Sequence, residues 1–188
     1  ADELVEFGAE VVIVATGATP IEPEVPGIDG EHVVHALDVL DGAPVTGRAV
    51  VVAGFEKHLA PPTIAELLAD RGVEVELVTE QFDFFTGIED GTRFALRERL
   101  ALKGVTVSMC HRLVDAIDGG ARVVDALTRR ERRLDDTAVV LACGSVPDDR
   151  LASELAGRVP EVHVIGDALA PRRIMHATLD GARVGRAI

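Results

Sequence analysis

Three consecutive pieces of sequence decide the fold: Arg48-Ala49-Val50-Val51-Val52-Ala53, then Pro61-Pro62-Thr63-Ile64-Ala65-Glu66-Leu67-Leu68-Ala69-Asp70-Arg71-Gly72, then Val73-Glu74-Val75-Glu76-Leu77-Val78-Thr79. The first is a β-branched apolar run, as expected of a strand buried on both faces. The second opens on proline, carries Ala65, Leu67 and Leu68, and closes on glycine, the signature of an amphipathic helix. The third is again a strand. Strand, helix and strand together form the building block of a parallel sheet, with a right-handed crossover.

On the N-terminal side, Asp2 to Gly8 reads as a short helix, and Val11 to Ala15 as a buried strand ending at Thr16-Gly17. Residues 20–31 hold three prolines, two glycines and four acids, so they read as an exposed loop. His35 to Leu40 reads as a short helix. On the C-terminal side, the pattern gives a helix over Thr92 to Lys103 and a strand over Val105 to Met109. Leu113–Ile117, Ala121–Leu127 and Arg130–Leu134 follow as a small antiparallel meander, turning at Asp118-Gly119-Gly120. A strand at Thr137–Ala142 ends at Cys143-Gly144. A helix at Asp149–Ala156, a strand at Val162–Ile165 and a last helix at Ile174–Ile188 complete the chain. The fold class is α/β and Rossmann-like: a parallel sheet flanked by helices, with a small antiparallel β-meander.

Composition fits this reading. The chain has 188 residues and is 47% hydrophobic, with six Phe and no Tyr or Trp, so Val, Leu, Ile and Ala must build the core. A net charge of −13 argues against nucleic acid and anionic membrane partners. Cys110 and Cys143 form no Cys-x-x-Cys, which leaves a dithiol redox pair and a zinc ribbon unsupported. The first residues are acidic instead of basic-then-apolar, so no signal peptide is legible, and no apolar run reaches membrane-spanning length. A cytoplasmic location is expected.

Several residues stand where nucleotide chemistry would need them. Ligands of open α/β sheets lie at the carboxyl ends of the strands. Ala15-Thr16-Gly17 and Cys143-Gly144 both end buried strands there, though each glycine is equally compatible with a simple turn. At Gly166-Asp167, an acid ends a strand just before a helix. It can accept hydrogen bonds from ribose or ribityl hydroxyls, while the helix N–H groups face a pyrophosphate; the alternative is an ordinary cap. Glu80 follows the strand Val75–Thr79, where an acid accepts from an adenine ribose and disfavours a 2′-phosphate; the alternative is a solvated loop acid. Counted back from Ala65-Glu66, the three glycines of a dinucleotide fingerprint fall on Glu56, His58 and Pro61. Glu56 would repel a phosphate and Pro61 has no N–H to offer. No catalytic constellation and no metal-ligand spacing is legible. Cys143 reads as a small buried residue and His163 as structural.

These motifs in order resemble a known family. Val14-Ala15-Thr16-Gly17-Ala18-Thr19-Pro20, Val25-Pro26-Gly27-Ile28-Asp29-Gly30, Val140-Leu141-Ala142-Cys143-Gly144 and Ile165-Gly166-Asp167-Ala168-Leu169-Ala170-Pro171-Arg172-Arg173 are similar to the C-terminal half of the old-yellow-enzyme-like NADH:flavin oxidoreductases. That group includes 2,4-dienoyl-CoA reductase, trimethylamine dehydrogenase and histamine dehydrogenase. The resemblance implies a larger parent, whose N-terminal barrel holds FMN and substrate and whose cysteine cluster holds an iron–sulfur centre. It implies FAD or ADP bound with the help of a glycine-bearing βαβ unit upstream of Ala1. Residues 1–45 and 146–188 would be the remnant of the FAD/ADP-type domain, and residues 46–145 an inserted NAD-type domain. The glycine-less loop makes NAD(H) binding there an exception and tilts the parent toward the amine dehydrogenase branch. The fragment itself is expected to lack complete catalytic machinery; its partner is the barrel, and a homo-oligomer is open. Two other readings stand beside this one. The inserted lobe could be a structural docking module, or it could be an NADH-dependent reductase domain with an unusual phosphate loop.

Overall fold

A computed structural model describes residues 1–54, 59–83 and 87–188. Its elements run α1 (Asp2–Phe7), β1 (Val11–Val14), β2 (Ala18–Pro20), β3 (Val33–His35), α2 (Ala36–Leu40), β4 (Arg48–Ala53), α3 (Ala60–Asp70), β5 (Glu74–Thr79), α4 (Asp90–Leu102), β6 (Thr106–Met109), β7 (His111–Asp115), β8 (Ala121–Asp125), β9 (Glu131–Leu134), β10 (Thr137–Ala142), β11 (Ser145–Pro147), α5 (Arg150–Leu155), β12 (Glu161–Val164) and α6 (Ile174–Val184), with a 3₁₀ turn at Gly166–Ala168 between the last two. The chain divides into two compact units. One is residues 1–21 with 145–188; the other is residues 22–144.

The 22–144 unit is built on a five-stranded parallel sheet in the order β3-β10-β4-β5-β6. Alternate residues of each strand point to opposite faces, and the core divides accordingly. Val51, Leu77 and Val140 pack with Ile64, Leu68, Leu96 and Leu100 of α3 and α4. Val50, Val52, Val78, Val139 and Leu141 pack with Leu113 and Val123 of the meander β7-β8-β9. Helices therefore cover one face and the meander the other. Each fully buried leucine or isoleucine contributes about 1.5–3 kcal/mol.

Helix α3 forms where the sequence demands it. Pro61 and Pro62 occupy its first turn, and Pro61, Ile64, Ala65 and Leu68 bury one stripe against the sheet. It stops at Gly72, whose φ of 83° is left-handed, while the Val73 N–H returns to the Leu68 carbonyl at 3.1 Å. Helix α4 starts two residues before Thr92 because the Glu89 carboxylate caps it, accepting from the N–H groups of Gly91 and Thr92 at 2.8 and 2.9 Å. Arg99 of α4 is bonded to Glu66 of α3 at 2.8 Å, and Lys103 to Asp70 at 2.7 Å.

The unit made of residues 1–21 and 145–188 has two small sheets. β1 and β12 pair in parallel, and β2 and β11 antiparallel. Val12 and Val14 bury one face of the first against Leu155, Val159 and Ala168. Residues 22–45 belong to the other unit, so the division falls earlier than the sequence-based boundary at residue 45. The reason is β3, which hydrogen-bonds along β10 from Val33↔Val139 to Leu141↔His35. Among the described residues, no helix is long and apolar enough to cross a membrane.

Candidate functional site

In the unit formed by the two chain ends, β1 and β12 run side by side and stop together at Val14↔Val164. The Ile165 N–H donates to the Val14 carbonyl at 3.0 Å, so Ala15-Thr16-Gly17 and Gly166-Asp167 emerge at one carboxyl edge. The Thr16 hydroxyl donates to the Asp148 carbonyl at 2.5 Å, and the Asp148 N–H donates to the Gly17 carbonyl at 3.1 Å. The Arg150 guanidinium grips the Asp148 carboxylate through two bonds of 2.8 and 2.9 Å and holds that carboxyl below its ordinary range. Gly17 has a φ of 84°, and a Cβ there would meet nothing within 4 Å, so the edge stays open to close backbone approach.

Asp167 is exposed, with Oδ1 accepting the Arg172 N–H at 3.3 Å. It does not cap α6. The residue before that helix is Arg173, whose side chain makes no capping hydrogen bond. Two residues that were not among the nucleotide candidates, Arg172 and Asp180, complete this edge. Asp180 of α6 accepts from the Gly166 N–H at 3.4 Å and from Arg172 Nη2 at 2.5 Å. The available signal was Asp180-Gly181 in the second half of a helix whose small residues Ala177 and Gly181 touch the end of β12.

Glu80 and Gly144 belong to the other unit. There β10, β4 and β5 are neighbours, so Gly144, Gly54 and Glu80 follow adjacent strands on one carboxyl edge. Glu80 is exposed. Gly54, directly after β4, approaches Cys143 so closely that a Cβ would stand 2.3 Å from its carbonyl oxygen. Cys143 Sγ lies 3.6 Å from the Val52 carbonyl, and Gln81 Nε2 donates to the Gly54 carbonyl at 3.1 Å. Cys143 is half-buried, more open than the sequence suggests. Of the three positions where the fingerprint expects glycine, Glu56 and His58 lie outside the described residues. Pro61 is buried in the first turn of α3.

The seven nucleotide candidates thus fall on two edges: Ala15, Thr16, Gly17, Gly166 and Asp167 on one, Glu80 and Gly144 on the other. His163 sits on β12 with Nε2 2.6 Å from Glu161 Oε1. A groove of about 710 Å³ along α4, lined by Asp83, Arg93, Phe94 and Arg97 among others, includes none of these residues. Among the described residues, no cluster of His, Cys, Asp or Glu is arranged to hold a metal ion.

Comparison with known proteins identifies the fold's kin. Dimethylamine dehydrogenase of Hyphomicrobium sp. (strain x) is 27% identical over 226 aligned positions, covering 100% of this chain and 30% of that protein. NADH oxidase of Thermoanaerobacter brockii is 26% identical, covering 98% of this chain and 29% of its own length. Among solved structures, 2-naphthoyl-CoA reductase in complex with 2-naphthoyl-CoA superposes with a TM-score of 0.86 at 26% identity, over 100% of this chain and 28% of that one. The chain therefore spans about 30% of the length of the relatives it matches. The resemblance carried by the Gly166-to-Arg173 signature holds, since the matches include dimethylamine dehydrogenase and 2-naphthoyl-CoA reductase. The model of the pyridine nucleotide-disulphide oxidoreductases matches residues 2–181, nearly the whole sequence, and the chain belongs to that family.

Proposed function

We propose that this chain is the nucleotide-binding part of a larger flavin-dependent oxidoreductase of the amine dehydrogenase or enoate reductase type. The unit of residues 1–21 and 145–188 carries part of an FAD or ADP site. The observation that carries this reading is the convergence of Thr16-Gly17 and Gly166-Asp167 at one strand edge, beside a helix with no side-chain cap. Asp167 offers an exposed carboxylate suited to a ribose or ribityl hydroxyl, and the first turn of α6 offers N–H groups suited to a phosphate. These residues fit an adenine-bearing diphosphate. When bound, FAD would supply the electron-transfer chemistry; the residues of this chain would bind and orient it. FMN, an iron–sulfur centre and the substrate belong in this reading to a barrel elsewhere in the parent, which is this chain's docking partner. Cys110 and Cys143, neither in a disulfide, support a reducing, cytoplasmic setting.

The 22–144 unit is, in the same reading, a nucleotide lobe that no longer binds NADH. The loop after β4 supports this, because Glu56, His58 and Pro61 stand where the fingerprint has glycines and Pro61, with no N–H to offer, is buried in the first turn of α3. Calorimetric titration of the chain with ADP and NADH tests both halves. Saturable ADP binding without NADH binding is expected, with Asp167→Ala weakening ADP about tenfold, the loss of one charge-assisted hydrogen bond. Unchanged ADP affinity in that variant would remove Asp167 from the site. Saturable NADH binding would overturn the reading of the second lobe.

A further inference from the structure

Gly166 is buried at the end of β12 with a φ of 62°. A methyl group there would sit 3.5 Å from the Ala177 Cβ, so α6 lies directly behind the strand end. Asp180 follows Ala177 by three residues and therefore shares its helix face. Its side chain is only 13% exposed, and a single oxygen, Oδ2, accepts from both the Gly166 N–H and Arg172 Nη2. Arg172 in turn donates Nε to the Ala170 carbonyl at 3.1 Å and its backbone N–H to Asp167 Oδ1 at 3.3 Å. A continuous chain of bonds thus runs from a part-buried helical carboxylate, through one arginine, to the exposed carboxylate at the strand edge.

We infer that Asp180 is a positioning residue of the nucleotide site: through Arg172 and the Gly166 amide it fixes the turn that aims Asp167 at the hydroxyls of a ribosyl or ribityl diphosphate. The inference rests on the nucleotide reading above. Two physical effects make the latch matter. A carboxylate on an unrestrained turn must be ordered when the ligand arrives, and that entropy weakens binding. A guanidinium deprived of Asp180 would also be free to pair with Asp167. Asp167 already accepts from the backbone of the same arginine, and such a pairing would take from the ligand its acceptor.

The test measures ADP affinity by calorimetry for the chain and for Asp180→Asn, Asp180→Glu, Arg172→Gln and the Asp180→Asn/Arg172→Gln double variant, with amide NMR shifts of Gly166 and Asp167 recorded in parallel. Asp180→Asn keeps the shape and removes the charge, so it should weaken ADP about tenfold. It should also move both amide signals, with the thermal midpoint nearly unchanged. Asp180→Glu should restore part of the affinity. Because the two residues act along one path, the double variant should bind no worse than the weaker single variant. ADP binding by Asp180→Asn equal to that of the parent chain overturns the inference alone. So do single-variant losses that multiply in the double variant. No ADP binding by the parent chain overturns the nucleotide reading and this inference with it.

Discussion

Replacing Gly54 with alanine probes how closely the ends of β4 and β10 approach each other in the 22–144 unit. The added Cβ would stand 2.3 Å from the Cys143 carbonyl oxygen, 2.9 Å from its carbon and 3.0 Å from its Cα. All three are backbone atoms, so no side chain can rotate aside. Van der Waals contact needs about 3.3 Å, so the ends of β4 and β10 must part by about 1 Å. Paired strands lie about 4.8 Å apart, and widening the gap by a fifth stretches the last rung of the ladder, at Ala53↔Ala142, out of bonding range. One lost hydrogen bond costs about 1 kcal/mol and overpacking a further 1–3 kcal/mol, so a total of about 2–4 kcal/mol is expected. For a chain of this length the thermal midpoint should fall by roughly 8 °C. Urea unfolding followed by far-UV circular dichroism reads the loss directly. Gly17→Ala is the control: a methyl there meets no atom within 4 Å, so the left-handed backbone alone costs about 1 kcal/mol. A loss below about 0.5 kcal/mol for Gly54→Ala would refute the argument, because it would mean the two strand ends move apart freely.

Two further outcomes test the core and its margin. Leu68→Ala removes a fully buried side chain between α3 and the sheet and should cost about 2–5 kcal/mol in the same urea assay. Glu76 joins the sheet to the meander, accepting from Arg132 Nη1 at 2.9 Å and from the Ser108 hydroxyl at 2.5 Å. Burial raises its pKa, but the bonds from Arg132 and Ser108 outweigh burial, and the net shift is downward. A depressed carboxyl stabilises the fold above its unfolded pKa of about 4.3, and that stability is lost as pH falls through the lower, folded value. Glu76→Gln should therefore cost about 1–2 kcal/mol at pH 7, and it should flatten the loss of stability seen on acidification of the parent. An unchanged acid limb in pH-dependent urea melts would exclude this contribution.

The elements legible in the sequence are those with long apolar runs and clear stops. β4, α3, β5 and β10 stand where their valines, prolines and glycines put them, because each is fixed by burial within or against a sheet covered on both faces. The strands β2, β3 and β11 were not legible. Each has three residues, too few to show a period, and each is held by a partner about a hundred residues away or more. Helix α4 starts early because a glutamate, an uncommon cap, does the work of a serine or aspartate. At the candidate site, Gly166 and Asp167 were legible from their place after a strand. Arg172 and Asp180 were not, since their role depends on how α6 lies against β12, and no local pattern encodes that distance. Gly54 was missed because its close approach to Cys143 depends on the pairing of β4 with β10, strands far apart in sequence.

The pairing of β1 with β12 carries a consequence for how the molecule is made. Val11 meets Glu161 across nearly the whole chain. Closing an unstructured loop of that length costs about 4 kcal/mol, more than a two-stranded sheet readily offsets. The inner unit removes most of that cost once it folds, since β3 and β10 lie side by side near its entry and exit. On the ribosome, β1 can therefore meet β12 only after the inner unit has been synthesised. The strand edge that carries Thr16-Gly17 is joined by Gly166-Asp167 only at that stage.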